Sequence, residues 1–445
     1  MNTAVTSRSD INSKSTTLSH TTACCVCGGG TVINPVPSPS PSASPTINYA
    51  NLQRTILLEI YTAMNGEDWF NDANWKNDSI SVCDWYGVVC STDVVADASI
   101  AGQIKGAVVK DEEIVIALQL SVNNLSGTIP SSIGLLNNLE EIEMNENELV
   151  GAIPTEFGLL QSLQTLSVHS NSLSGTIPTE LGLLGDSLTT ISMWSNYLDG
   201  TIPTELGLLR SVSTMFISNN RLTGTIPLEL TSMTAMFILK ISINRLTGSI
   251  PTQIGLFPSL LGISMSYNQL SGTLPSEIGY LSSTYGFIAG GNSLSGTLPT
   301  EIGVMRRLGI LSLNENKLSG TIPSEMFGSC NGMFSFIENV YMGYNNLSGS
   351  IPSELGRCSK LNQLQLRHND LTGTVPHELG VLQSLRTLYL EENDLTGTMP
   401  ESVCALTADG TGLITDLNVD CDEILCDCCS SCNVVYTTQL SDNNN

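Results

Sequence analysis

Between residues 118 and 400 the chain repeats one pattern of apolar and polar positions twelve times. Each copy reads L-x-L-x-x-N-x-L-x-G-x-I-P, followed by x-E-L-G-x-L-x-x-L. In Leu118-Gln119-Leu120 the alternation places both leucines on one face of a short strand and Gln119 on the other. Because one copy cannot bury its leucines alone, the copies must stack, each contacting only its neighbours. The pattern predicts one continuous core and an open face formed by the outward strand residues.

One Asn follows the strand of every copy, mostly 24 residues after the previous one. Its amide can both donate and accept, so stacked copies can satisfy backbone groups that a buried turn would leave unpaired. The next Gly allows a bend that a Cβ would obstruct, and the Pro ends regular pairing after a second short extended segment. These ladder residues are Asn123, Asn147, Asn171, Asn196, Asn220, Asn244, Asn268, Asn292, Asn316, Asn345, Asn369 and Asn393.

The I-P-x-E-L-G-x-L segment, almost unchanged at residues 202–209, resembles the plant-type extracellular leucine-rich repeats. These repeats build the ectodomains of receptor kinases and receptor-like proteins, and also polygalacturonase-inhibiting proteins. The resemblance implies an α/β solenoid: a right-handed arc with a parallel concave sheet, a helical amino-terminal cap and a cysteine-rich carboxyl-terminal cap. The sequence contains no kinase signature or other catalytic motif, so we expect no enzymatic activity, cofactor or metal.

Composition and repeat boundaries divide the chain into five segments. A helix is predicted from Asn51, where apolar residues recur every four positions. The Pro/Ser-rich stretch before it is typical of an extended spacer. The predicted segments are a disordered tail and linker (1–46), the amino-terminal cap (47–117), twelve repeats (118–400), the cysteine-rich cap (401–432) and a disordered tail (433–445).

The cysteines fall into four groups. The stretch from Cys83 to Cys90 resembles the C-x-W-x-G-V-x-C cap of the same family, which implies a cap disulfide. Cys330 and Cys358 occupy nearly equivalent places on adjacent copies, where a disulfide and two separate thiols both fit. Six further cysteines allow fifteen pairings, among which the sequence does not choose. These are Cys404, Cys421, Cys426, Cys428, Cys429 and Cys432. Among them Cys426, Cys429 and Cys432 also leave a metal cluster open, as do Cys24, Cys25 and Cys27 near the start of the chain.

Charge and targeting signals limit the partners. With 42 acidic and 17 basic residues the net charge is −25, which argues against nucleic acid and anionic membranes. We expect no signal peptide and no transmembrane segment in this chain, while an anchor or targeting segment upstream of Met1 stays open. The cysteines, with sequons at Asn77, Asn124 and Asn346, favour an extracellular or membrane-associated cell-surface glycoprotein.

Large side chains interrupt an open face made mostly of Ser, Thr and Gly. Rigid aromatic and cationic groups of this kind form recognition hot spots. The first cluster, our predicted ligand site, is His169, Trp194, Phe216, Lys240 and Tyr267. The second patch is Tyr341, Tyr344, Arg367, His368 and Tyr389. Between them, Gly286, Gly290 and Gly291 predict a bare stripe.

Three functions are compatible with this scaffold. The first is a non-catalytic, receptor-like module that binds a protein, peptide or cell-surface partner. The second is a secreted inhibitor or cell-wall glycan-binding protein similar to polygalacturonase-inhibiting proteins. The third, more remote, is an ice-binding or structural role for a column of Thr hydroxyls. That column is Thr128, Thr176, Thr201, Thr225, Thr273, Thr297, Thr321, Thr374 and Thr398.

Overall fold

The computed structural model describes residues 49–91, 113–330, 336–407 and 412–433. The tail and linker expected at 1–46, with Cys24, Cys25 and Cys27, lie outside these residues, as does all but the first residue of the tail expected at 433–445. The described part belongs to one compact unit, Asn48–Asn445.

A long sheet of fifteen strands runs through the described residues and confirms the predicted repeat solenoid. One strand from each of the twelve repeats lies beside the equivalent strand of the next, in parallel and in register, as in the pairing of Phe216 with Lys240. The cap strand at the amino-terminal end is antiparallel to the first repeat strand. In sheet order the strands are Val88–Ser91, Ile114–Gln119, Glu141–Glu143, Thr165–Ser167, Thr190–Ser192, Thr214–Phe216, Ile238–Lys240, Gly262–Ser264, Gly286–Ile288, Ile310–Ser312, Asn339–Tyr341, Gln363–Gln365, Thr387–Tyr389, Asp416–Asp420 and Ser431–Asn433.

A second row of short parallel strands forms where each repeat reaches its Gly-Thr pair. The row is divided into sheets of four, six and two strands. The first contains Ser126–Thr128, Glu148–Gly151, Ser172–Thr176 and Tyr197–Asp199. The second contains Ser271–Thr273, Ser293–Gly296, Lys317–Thr321, Asn346–Gly349, Asp370–Gly373 and Asp394–Leu395, and the third pairs Gly397–Thr398 with Ile424–Leu425.

Each of the first eleven repeats then makes a short 3-10 turn that begins after its Pro. Within the turn, Gly158 lets the next repeat approach, because a Cβ there would stand 2.4 Å from the Glu180 carbonyl oxygen. The turns are Ser131–Leu135, Thr155–Leu159, Thr179–Leu184, Thr204–Leu208, Leu228–Ser232, Thr252–Leu256, Ser276–Tyr280, Thr300–Val304, Ser324–Cys330, Ser353–Arg357 and His377–Val381. Among the described residues, α-helix is confined to Tyr49–Ala63 and Glu401–Cys404, so the helical part of this α/β solenoid belongs to its ends.

The Asn ladder connects neighbouring repeats through the buried turn. Asn244 Oδ1 accepts from the backbone N–H of Leu222 at 3.0 Å, and Nδ2 donates to the carbonyls of Ile217 at 3.0 Å and Ile241 at 3.2 Å. The same bonds recur from repeat to repeat, as predicted from the spacing. Since the Asn side chains satisfy main-chain groups that water does not reach, they fix the register of the stack.

The amino-terminal cap covers the first repeat with aromatic packing. Its helix, Tyr49–Ala63, lies near a cluster in which the rings of Trp69 and Trp75 are 5.0 Å apart and those of Trp75 and Trp85 4.9 Å apart. Cys83 and Cys90 form a disulfide beside this cluster. Two additional 3-10 turns, Gly66–Asp68 and Val82–Asp84, complete the cap. The apolar end of the repeat core is therefore shielded from solvent.

Disulfides also connect the later repeats and the carboxyl-terminal cap. Cys330 is bonded to Cys358, so adjacent repeats are cross-linked rather than holding two separate thiols. In the cap the bonded pairs are Cys404–Cys428 and Cys426–Cys429, and Cys421 is also disulfide-bonded. Because Cys426 and Cys429 are oxidised, they do not supply the thiolates that a metal cluster would need.

Candidate functional site

Two side chains of the first cluster stack on each other. His169 and Trp194 stand two positions before the ladder Asn of adjacent repeats, and their rings are 4.4 Å apart at an interplanar angle of 15°. Both side chains are half-buried. The stack forms a rigid, flat aromatic surface on an open face that is otherwise built from small polar residues.

A second contact follows on the next repeats. Phe216 and Lys240 occupy paired positions of adjacent strands, and Lys240 Nζ lies 4.6 Å from the centroid of the Phe216 ring. In the part of the chain that the structure describes, Lys240 forms no ion pair with a carboxylate. The ammonium group is therefore held over an aromatic ring and free to pair with an anionic group.

The side chain of Tyr267 is exposed because its backbone adopts an unusual conformation. It directly precedes a ladder Asn, and its φ of 53° lies in the left-handed region. The equivalent residues of the other eleven repeats share this conformation, including the β-branched Val122 and Ile243 at 55°. Such residues rarely adopt it, because their Cβ crowds the backbone. The tight turn into the ladder therefore directs the side chain into solvent, where Tyr267 is 54% exposed.

Burial sets the protonation of the stacked imidazole. Desolvation lowers the pKa of His169 from its usual 6.5, and the negative charge of Glu146 acts in the opposite direction. His169 Nδ1 lies 3.2 Å from the hydroxyl oxygen of Ser170. The ring is therefore neutral at neutral pH and stacks on Trp194 as an uncharged aromatic group.

The second patch is more strongly connected within itself. Tyr344 and His368 stack with ring centroids 4.0 Å apart, and Arg367 lies 5.2 Å from the Tyr344 ring and 5.3 Å from that of Tyr389. Its guanidinium group already has a partner, because Arg367 pairs with Glu391 at 3.5 Å.

The other members of this patch are likewise engaged. His368 Nδ1 lies 2.5 Å from Glu392 Oε2, and Tyr341 donates its hydroxyl hydrogen to Gln363 at 2.8 Å. The pKa of Glu391 is raised above its usual value, because the effect of burial exceeds the opposite effect of the Arg367 guanidinium. A ligand carboxylate would have to compete with these internal partners.

The stripe predicted to be bare is partly filled. A Cβ on Gly291 would stand 2.5 Å from Tyr267 Cδ1, so the Tyr267 ring lies over this glycine. A Cβ on Gly290 would stand 2.5 Å from Asn314 Oδ1. Only Gly286 of the three faces open space. The prediction of a bare stripe was wrong, because side chains from adjacent repeats occupy the space that two of the glycines leave.

The Thr column has a packing role. A Cβ on Gly200 would lie 2.8 Å from the methyl carbon of Thr176, and a Cβ on Gly224 would lie 2.7 Å from the methyl carbon of Thr201. This contact recurs along most of the column. Each Gly has a positive φ and each Thr methyl fills the space beside the next one, so repeat packing accounts for the Gly-Thr pair.

The three sequons differ in accessibility. Asn77 and Asn346 are exposed. Asn124 is half-buried, and its Nδ2 donates to the Asp68 carbonyl in the cap at 2.8 Å. The side-chain nitrogen of Asn124, which would carry the glycan, is thus already hydrogen-bonded. In the part of the chain that the structure describes, no helix has the length and hydropathy needed to cross a membrane.

Several regions of the chain match known protein families. Residues 50–91 match the leucine rich repeat N-terminal domain. The leucine rich repeat family matches at residues 162–184, 259–281, 336–358 and 384–406. The chain contains leucine-rich repeats preceded by a leucine rich repeat N-terminal domain. Both matched families are scaffold modules that typically bind rather than catalyse. No curated protein matches the chain by sequence.

Solved structures similar to the chain include plant receptor ectodomains. The plant peptide hormone receptor RGFR1 in complex with RGF2 is 36% identical, with a TM-score of 0.63 over 65% of this chain and 45% of that one. The PEPR1–AtPEP1 complex is 27% identical, with a TM-score of 0.64 over 83% and 52%. A TDR receptor is 30% identical, with a TM-score of 0.58 over 64% and 53%. The chain spans about half the length of these structures.

Proposed function

We propose that this protein is an extracellular, non-catalytic recognition module that binds a peptide or a peptide segment of a protein on the open face of its long sheet. The solved structure of RGFR1 is described as that of a plant peptide hormone receptor in complex with RGF2, which supports this ligand class. The disulfides support a compartment outside the reducing cytosol. A cell-wall glycan is the alternative ligand that the test must separate from a peptide.

The proposal rests on two neighbouring features of the open face. One is a rigid aromatic stack, and the other is a cation with no carboxylate partner among the described residues. Trp194 and His169 offer a flat apolar surface, while Lys240 holds its charge over Phe216 without a carboxylate partner among the described residues. Large preorganised side chains lose little conformational entropy on binding. We therefore centre the ligand on His169, Trp194, Phe216, Lys240 and Tyr267.

The second patch is less suited to an acidic ligand residue. Arg367 and His368 are already paired with Glu391 and Glu392, and separating such a pair costs part of the energy gained on binding. In this interpretation the second patch is an extension of the site rather than its centre.

The experiment begins with a displayed random peptide library selected on the purified chain. Retained peptides are synthesised and measured by calorimetry against wild type and the W194A/F216A variant, with a pectin fragment as the glycan probe. We expect peptide binding to fall by at least roughly tenfold with unchanged melting temperature, because two anchors are removed from an exposed face. The F70A/Y86A variant is the matched control, since both residues are exposed aromatics in the cap.

Two outcomes would contradict the proposal. Full retention of peptide binding by W194A/F216A, with loss in Y344A/R367A, would move the ligand to the second patch. Selection of no peptide, with pectin binding that W194A/F216A abolishes, would replace the peptide by a glycan.

A further inference from the structure

The 3-10 turns carry a row of bulky apolar side chains into solvent. In the first eight turns, from Ser131–Leu135 to Thr300–Val304, the fifth position is apolar in every turn except the fifth, which has Ser232 there. These side chains are between 52% and 73% exposed. We name them the turn stripe: Leu135, Leu159, Leu183, Leu208, Leu256, Tyr280 and Val304. The stripe lies on the turns, not on the strands of the long sheet, and sequence reasoning about outward strand residues did not detect it.

Two residues near the carboxyl-terminal end of the stripe lie against the turn before them. A Cβ on Gly255 would lie 3.2 Å from the Tyr280 ring, and one on Gly279 would lie 3.2 Å from a Val304 methyl. The other stripe residues occupy the same position in their own turns. Single exposed apolar residues are ordinary on protein surfaces, but an aligned row of this length is typical of an interaction surface.

A row of carboxylates accompanies the apolar row. A Cβ on Gly134 would lie 2.7 Å from the Cβ of Glu156, and a Cβ on Gly158 would lie 2.8 Å from the Cβ of Glu180. The Glu of one turn is thus packed beside the Gly that precedes the stripe residue of the previous turn. Within the described ranges neither carboxylate forms an ion pair with a basic side chain.

A cleft marks the carboxyl-terminal end of the stripe. Its volume is about 470 Å³, and its lining includes Val304, Glu301, Glu325 and Arg306. The cleft thus combines an apolar side chain with two carboxylates and one guanidinium group. Because the carboxylates outnumber the cation, it suits one long side chain with an apolar stem and a basic end.

We propose that the turn stripe is a docking surface for an amphipathic helix of a partner protein, with Lys or Arg bordering the apolar face of that helix. An α-helix advances about 5.4 Å per turn, close to the roughly 4.7–4.9 Å between neighbouring stacked strands, so each helical turn can present one apolar side chain to one repeat. The Glu row then pairs with the bordering cations. A second copy of this chain fits poorly, because its own Glu row and its charge of −25 would repel.

The test uses a synthetic helical peptide of roughly 20 residues, enough for about five helical turns, with Leu on one face and Lys along its edges. Binding to the full chain is measured by fluorescence anisotropy, with wild type compared with L159S/L183S/L208S. We expect the triple variant to bind about tenfold more weakly or worse at unchanged melting temperature. A peptide with Gln in place of Lys is expected to bind more weakly to wild type, and added salt to reduce this difference.

Controls separate the stripe from general attraction to an acidic chain. F70S/V150S/L425S removes three exposed apolar side chains elsewhere and is expected to bind as wild type does. W194A/F216A is also expected to bind this peptide normally, so failure of the long-sheet proposal would not affect the result. Equal binding by L159S/L183S/L208S and wild type would overturn the proposal. So would a dimer in sedimentation that this triple variant abolishes, because the stripe would then cover a second copy.

Discussion

The ring of Tyr267 lies over Gly291, the residue at the equivalent position of the next repeat. A Cβ on Gly291 would stand 2.5 Å from Tyr267 Cδ1 and 2.8 Å from Cε1, and Gly291 itself has a φ of 66°. One glycine thus serves two purposes. It adopts the left-handed turn without strain, and it leaves the space in which a side chain of the proposed ligand site is held.

We expect the G291A variant to lose about 1–2 kcal/mol of unfolding free energy from the left-handed backbone alone, with a further loss from the displaced Tyr267 ring. Chemical denaturation measures the change. G286A is the matched control, because a Cβ on Gly286 meets nothing within 4 Å. In G291A/Y267A the steric part should disappear while the backbone part remains. Equal stability of G291A and G286A would contradict the ring contact.

Truncating one ladder residue should weaken the whole stack. N244A removes the acceptor of the Leu222 N–H and the donor to the Ile217 carbonyl, and leaves both main-chain groups buried without these partners. The expected cost is about 1–3 kcal/mol in unfolding free energy. R245A is the control, since Arg245 is the exposed residue directly after Asn244 and its backbone is not left-handed. A ladder variant as stable as R245A would show that water replaces these bonds at no cost.

Periodicity predicted the elements that depend on contacts within one repeat or between identical positions. The leucines of Leu118-Gln119-Leu120 and the ladder Asn residues are of this kind, because the same residue recurs in the same environment. The cap helix also began within two residues of its predicted start, at Tyr49 rather than Asn51. Each of these features is encoded by spacing alone.

Contacts between unlike residues of neighbouring repeats were not predictable in the same way. Tyr267 over Gly291 depends on a left-handed backbone that a Tyr rarely adopts. The packing of Thr176 against Gly200 also joins two repeats. The sequence alone therefore indicated an array of Thr hydroxyls and not the contacts of the Thr methyl groups. An alignment of the turn positions of all repeats, as well as their strand positions, would have revealed the turn stripe.

Glycosylation should distinguish the three sequons. We expect Asn77 and Asn346 to be modified in a secretory host, because both are exposed. Asn124 should stay unmodified once folded, since its Nδ2 donates to the Asp68 carbonyl at 2.8 Å. Peptide mapping by mass spectrometry after enzymatic deglycosylation gives the occupancy of each site. Complete occupancy of Asn124, with Asn77 unoccupied, would reverse this order.

Disulfide bonding between adjacent repeats should stabilise the later part of the stack. The C330S/C358S variant opens a covalent link that spans 28 residues, and we expect a loss of about 2–4 kcal/mol in unfolding free energy. Denaturant unfolding of wild type and variant measures it. Reduction of wild type should lower stability further, because the cap bond between Cys83 and Cys90 is then also lost. A variant that unfolds at the same denaturant concentration as wild type would contradict this role.

The protonation of His169 gives a direct measurement of the stacked site. Burial lowers the pKa of this imidazole from 6.5, while Glu146 raises it, so the folded chain binds fewer protons at His169 than the unfolded chain does. The contribution of His169 to stability is therefore fully present above about pH 6.5 and decreases as the pH falls from there towards the lowered pKa.

An NMR titration of the His169 ring should accordingly have its midpoint below 6.5. The E146Q variant should shift the midpoint lower still, because it removes the negative charge that favours the protonated ring. W194A should move the midpoint back towards 6.5, since the imidazole regains water on the side that the indole covers at 4.4 Å. A midpoint above 6.5 in wild type that falls in E146Q would mean that charge rather than burial controls this imidazole, and the neutral aromatic surface of the proposed ligand site would be lost.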